Sequence, residues 1–148
     1  ADQGVHLDKA ERMVRRALAE QPDNIAFMDS LGWVFYKQGR FEEAGRKFDQ
    51  ILEQDRLEEE GHPVIFDHAG DVYYRLGRIH DAREMWQRAL EDAAEEKRIT
   101  SEIRMIQQRT PQKLEALQTD RPAPVAPTAE AATQPAPGET SEPSGQTP

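Results

Sequence analysis

Two stretches of this 148-residue chain repeat one another, and a chain that repeats itself folds by stacking like units. Residues 32–48 (GWVFYKQGRFEEAGRKF) laid over 70–86 (GDVYYRLGRIHDAREMW) share six identities in 17 at an offset of 38. Several other pairs are conservative, among them Phe35 with Tyr73, Lys37 with Arg75 and Phe48 with Trp86. A half-copy precedes them: residues 7–22 match 79–94 at Ala10/Ala82, Met13/Met85, Arg16/Arg88, Ala17/Ala89 and Leu18/Leu90, and lie 34 residues ahead of the middle copy.

Apolar residues within the copies recur at three and four residues, as in Met28, Leu31, Phe35 and Phe41, Ala44, Phe48, Ile51, which is helical spacing. Each copy therefore reads as two helices with a tight break at Gly39-Arg40 or Gly77-Arg78, where glycine accepts the left-handed conformation that ends a helix. Gly32, Ala44, Gly70 and Ala82 stand where helices must approach closely. Pro22-Asp23-Asn24 supplies a stop and an N-cap, and Gly61-His62-Pro63 does the same with proline near the first turn.

These positions resemble the tetratricopeptide repeat family, whose unit places large, small and aromatic residues at set spacings. The middle copy supplies Met28, Leu31, Gly32, Phe35, Gly39, Phe41, Ala44, Phe48 and Ile51; the next supplies Phe66, Ala69, Gly70, Tyr73, Gly77, Ile79, Ala82, Trp86 and Ala89. Ile51 replaces the usual second alanine, Arg56 stands where proline ends the unit, and four residues are inserted within 52–63, departures that bear on the angle between the repeats. The resemblance implies an all-α fold, a right-handed solenoid of antiparallel helix pairs, and it looks like the C-terminal end of a longer bacterial array.

The expected organisation is a helical repeat domain over 1–118, comprising a half repeat (1–22), two repeats (23–60 and 61–95) and capping helices (96–118), then a tail over 119–148. The first copy lacks its first helix, so its helix over 7–21 should leave one apolar flank uncovered and could self-associate there. Ile99, Ile103 and Ile106 form the apolar side of a cap that closes the open repeat end, and Thr110-Pro111 should start a second short helix carrying Leu114 and Leu117. Seven of the ten prolines fall in the last 30 residues, where Val125 is the only large apolar side chain. Such a segment cannot bury enough surface to offset its ordering entropy and should be disordered. It contains Arg121-Pro-Ala-Pro-Val-Ala-Pro127, the RxxPxxP form of a polyproline II ligand, which this composition also generates by itself.

Charge and composition exclude several functions. The net charge of −9 resolves into −3 on the tail and −6 on the repeats, so no generic phosphate-binding surface and no nucleic acid partner is expected; the cluster Arg12, Arg15, Arg16 reads as a wet helix side. The longest apolar runs, 25–28 and 33–36, are only four residues, and no membrane span is expected. There is no cysteine. Phosphate-loop, zinc-protease, nucleophile-elbow and dinucleotide motifs are absent, so neither enzyme activity nor a cofactor is expected. Ser30 and His68 occupy equivalent places with Asp29, Asp67 and Asp71 beside them, but mid-helix positions offer no free N–H groups for an oxyanion. His68 and Asp71 share a helix side, yet two ligands are too few for a metal site. Glu58-Glu59-Glu60 reads as a solvated run.

The remaining face carries the better clue. Asp29, Trp33, Tyr36 and Lys37 fall on one side of the middle copy's first helix, and Asp67, His68, Asp71, Tyr74 and Arg75 repeat that side in the next. Aromatics beside Lys or Arg are the residue types enriched at binding hot spots. In the resembled family first helices line a groove that holds extended peptides or partner helices, and the resemblance implies non-catalytic binding of a protein or peptide at these nine residues. Family members that grip a chaperone's C-terminal carboxylate use Lys and Asn at positions matching Asp29, Trp33, Asp67 and Asp71, so that clamp is not implied. The three aspartates suit a partner with basic and apolar side chains. Two competing expectations are structural: Trp33 could pack against the helix of a neighbouring repeat while Tyr36 and Tyr74 fill the space between first helices, and the piece could be a terminal segment of a longer array whose ligand site lies in upstream repeats.

Overall fold

Both Gly-Arg breaks are built alike in the computed structural model, which describes residues 2–54, 57 and 61–129. Gly39 and Gly77 each take φ of +78°. Gly39 N–H donates to Tyr36 O (2.9 Å) and Arg40 N–H to Phe35 O (2.8 Å), and Gly77 and Arg78 do the same to Tyr74 (3.0 Å) and Tyr73 (2.8 Å). A Cβ in that conformation is strained by roughly 1–2 kcal/mol, which is why both breaks carry glycine.

Among the described residues six helices stand out, α1 (Asp2–Glu20), α2 (Ile25–Lys37), α3 (Phe41–Leu52), α4 (Pro63–Arg75), α5 (Ile79–Glu95) and α6 (Ser101–Thr119), and there is no strand. The fold is an all-α solenoid in which α2 pairs with α3 and α4 with α5, and α1 packs on α2. Asn24 Oδ1 accepts from Phe27 N–H at 3.0 Å to cap α2, and Pro63 starts α4. The arginine of each break clamps successive units. Arg40 bonds Glu11 of α1 (2.7 Å) and Glu43, and Arg78 bonds Asp49 of α3 (3.2 Å) and Asp81 (2.8 Å). Their guanidinium groups lie 4.3 and 4.1 Å from the rings of Phe35 and Tyr73. These pairs are part-exposed, so they set register more than stability.

The core runs along the helix interfaces from Met28 through Trp86 to Ile106. Its tightest point is Gly70, where a Cβ would lie 2.3 Å from Cδ1 and Nε1 of Trp86, a ring with no exposed surface. Gly70→Ala is expected to cost about 1–3 kcal/mol from overpacking. Gly4→Ala, at a helical site with open space around it, should instead be neutral or stabilising by up to about 1 kcal/mol. Urea unfolding of the two variants checks this, and equal midpoints would show that the ring yields without cost.

The apolar flank expected on α1 is present: Met13 is 62% exposed, whereas Met85, at the same register of a complete pair, is 4% exposed. Val5 is exposed as well. Three expectations need correction, two of them in the cap. The cap is one helix, α6, and Pro111 sits inside it rather than starting a second. Proline removes one N–H from the helix, on a side where Gln107 and Gln108 face solvent, and the Gln112 side chain donates to Gln108 O at 3.0 Å. Ile99 precedes the helix and is exposed, so the buried stripe is Ile103, Ile106, Thr110, Lys113 and Ala116.

α6 packs on α4 and α5 as α4 packs on α2 and α3. The chain then turns at Asp120 (φ +56°) and lays 121–129 back against the first helices, where the sequence led us to expect a structureless tail from residue 119. Residues 130–148, Arg56 and the Glu58-Glu59-Glu60 run lie outside the described residues.

Candidate functional site

α2 and α4 bring the nine expected residues together on one face. At its centre three rings stack: His68 on Trp33 (centroids 3.8 Å apart) and Trp33 on Tyr36 (4.5 Å). Asp29 Oδ1 lies 2.9 Å from His68 Nδ1 and holds that ring in place. Tyr36, expected as an open aromatic, has no exposed surface, and Trp33 is half-buried. Lys37 Nζ stands 5.4 Å from the Trp33 ring centre, and Arg75 Nε donates to the Tyr36 hydroxyl at 3.1 Å. Burial pushes the Tyr36 phenol up to about 12, against the hydrogen bond from Arg75, so it stays a donor at neutral pH. Burial lowers the Lys37 ammonium from its ordinary value, against the pull of Asp71.

Asp67 and Asp71, which looked suited to a basic partner, meet a basic residue of this chain. Lys113 Nζ from α6 donates to Asp71 Oδ1 (2.7 Å) and to both oxygens of Asp67 (3.2 and 3.3 Å). Thr110 Oγ1 donates to Asp67 Oδ1 (2.6 Å), and Trp86 Nε1 to Asp71 Oδ1 (3.0 Å). The side chains of Lys113 and Asp71 are 5% and 2% exposed. Burial raises the Asp71 carboxyl above the usual range; Lys113 opposes that shift and the Asp67 charge adds to it. Lys113 and Thr110 carried no functional weight in the sequence, although both continue the apolar stripe of α6 and so had to be buried.

The segment 121–129 crosses this face. Ala123 N–H donates to the Tyr74 hydroxyl (3.0 Å) and Ala126 N–H to Asp71 Oδ2 (3.0 Å). Ala126 O accepts from the Tyr36 hydroxyl and from Arg75 Nη2 (3.0 Å), and Pro127 O from Lys37 Nζ (3.3 Å). Val125 N–H closes back onto Ala123 O (2.8 Å), a three-residue turn whose centre is Pro124. A cleft of about 300 Å³ remains between Trp33, His68, Arg109 and Val125.

Five of the nine expected residues (Tyr36, Lys37, Asp71, Tyr74 and Arg75) thus bind main chain, Trp33 and His68 wall the cleft, and Asp29 and Asp67 position other groups. Ser30 takes no part: its hydroxyl donates to Ala26 O of its own helix at 3.0 Å, away from His68. Among the described residues no three His, Asp or Glu side chains are grouped to hold a metal, and no helix is long and apolar enough to cross a membrane.

Two tetratricopeptide repeat family models match the chain, one over residues 6–58 and one over 65–95, together more than half of its length. A TPR repeat-containing protein of Pseudomonas aeruginosa is 33% identical over 54 residues, 36% of this chain and 9% of that protein's own length. The first matched span covers most of α1 and all of α2 and α3, and the second covers most of α4 and all of α5.

Proposed function

Because the chain belongs to the tetratricopeptide repeat family, we propose that it binds a partner protein non-catalytically, as an extended segment laid along the face of α2 and α4 beside α6. The observation that carries this reading is the treatment of Ala126. Its N–H and its C=O are both held by side chains, Asp71 on one side and Tyr36 with Arg75 on the other. Side chains that satisfy both main-chain polar groups of one residue form a receptor for main chain. Each such hydrogen bond contributes about 0.5–1.5 kcal/mol, and about 1.5–3 where a charge is involved. Lys113 already occupies the space between Asp67 and Asp71 and is shared by both, so small apolar residues fit this face better than basic ones.

A selection from a random peptide library on the full chain, followed by titration of the selected peptides into 15N-labelled protein, tests the reading. The expected result is movement of the Trp33 indole N–H signal and of the backbone amides of Lys37, Asp71 and Arg75. Perturbations confined to the neighbourhood of Val5 and Met13 would overturn it in favour of a second reading. In that reading, supported by the exposure of Met13, α1 stacks on another helix pair and the module is a structural segment of an array.

A further inference from the structure

We propose that residues 121–129 are a tethered ligand of this groove, so that a partner binds by displacing them, and that the groove's preferred partner segment shares their chemistry: small residues alternating with proline. The inference rests on the groove reading above and adds to it both an occupant and a ligand class.

The match between segment and groove is one of donors. Pro122, Pro124 and Pro127 carry no N–H and are exposed, so laying the segment on the groove asks the groove for no donor partner at those places. Each amide that remains from 121 to 126 has an acceptor: Arg121 on Ala116 O, Ala123 on Tyr74, Val125 on Ala123 O and Ala126 on Asp71. Alanine at 123 and 126 lets the main chain approach the helices closely, and Ala123 is almost wholly buried. The prolines also restrict the free segment before it docks, which lowers the entropy lost on docking. Charged or bulky residues at 123 or 126 would hold the peptide units away from Tyr74 and Asp71.

Docking in cis is favoured by the leash. Only Asp120 separates the last residue of α6 from Arg121. Short tethers give effective concentrations in the millimolar range, so a free peptide that binds with a dissociation constant of about 0.1 mM is opposed roughly tenfold by the tethered copy.

The test uses the full chain and one with Ala123→Pro and Ala126→Pro, which deletes the two N–H groups donated to the groove while leaving every groove side chain in place. The probe is a capped synthetic peptide of residues 121–129, with far-UV circular dichroism as the check that the helices persist. The expected result is slow hydrogen exchange of the Ala123 and Ala126 amides in the native chain, and at least tenfold tighter binding of the probe to the double-proline chain than to the native one. Equal affinity for both chains, or exchange of these amides at unstructured rates, overturns the tethered-ligand proposal and leaves the groove reading standing. Binding to neither chain overturns the groove reading itself, and the competition with it.

Discussion

Replacing Lys113 by methionine should cost about 3–5 kcal/mol of stability, because it strands two carboxylates that the fold has withdrawn from water. Lys113 is the cation shared by Asp67 and Asp71, and its ammonium is almost fully enclosed. Methionine fills much of the same volume, so the loss reports charge rather than a cavity. Adding Asp67→Asn and Asp71→Asn should recover part of it, since no stranded charge remains to solvate; the recovery is incomplete because the single amide oxygen at 71 can accept from Trp86 or from Ala126 but not from both. The sign of the pH dependence follows from Asp71. Its folded carboxyl is raised by burial, so the folded state holds the proton more tightly than the unfolded chain. The stability contributed by that group is therefore present at low pH and lost as pH rises through the raised value. Without Lys113 the raising grows, and the methionine variant should lag the native chain less at about pH 4 than at pH 7. Urea unfolding at both pH values reads this out. A deficit below about 1 kcal/mol at pH 7, the scale of an exposed pair, would show that water still reaches the carboxylates.

Trp86→Ala should be of similar severity. The ring has no exposed surface, lies against Gly70 and donates to Asp71. Removing a buried indole costs about 3–5 kcal/mol, a large share of the 5–15 kcal/mol that holds a typical domain. A melting temperature lower by about 10–20 °C is expected for a chain of this size. Trp86→Phe keeps most of the volume and loses the indole N–H, so it should cost about 1–3 kcal/mol and separate the hydrogen bond from the packing. If alanine and phenylalanine melt together, the cavity is not what sustains this part of the core.

Why the repeats were legible and the site only half so can be argued from a few residues. Gly32, Gly70, Ala44 and Ala82 are small because another side chain presses on them, and Gly39 and Gly77 because φ is positive there. Such demands act at single positions and leave a periodic trace. The groove residues were legible for a related reason: Trp33, Tyr36 and Tyr74 are large residues off the core stripe. Their partners were not. Lys113 reads as a surface cation until the apolar stripe of α6 is drawn through it, and Pro111 reads as a helix start because that is the commoner place for proline. The segment 121–129 was hidden by its composition, since what holds it is its main chain and a few small side chains, Ala123, Val125 and Ala126. Counting donors would have hinted at it: prolines at 122, 124 and 127 leave few N–H groups to satisfy.

The grip on Ala126 has a consequence for how such a segment changes over generations. Asp71, Tyr36 and Arg75 touch groups that every residue but proline carries, so most exchanges among small side chains leave the contacts intact. What cannot drift is the presence of an N–H at 123 and at 126. Segments with little residue identity can therefore keep the same contacts, whereas a proline moved onto either place removes the donor that Tyr74 or Asp71 accepts.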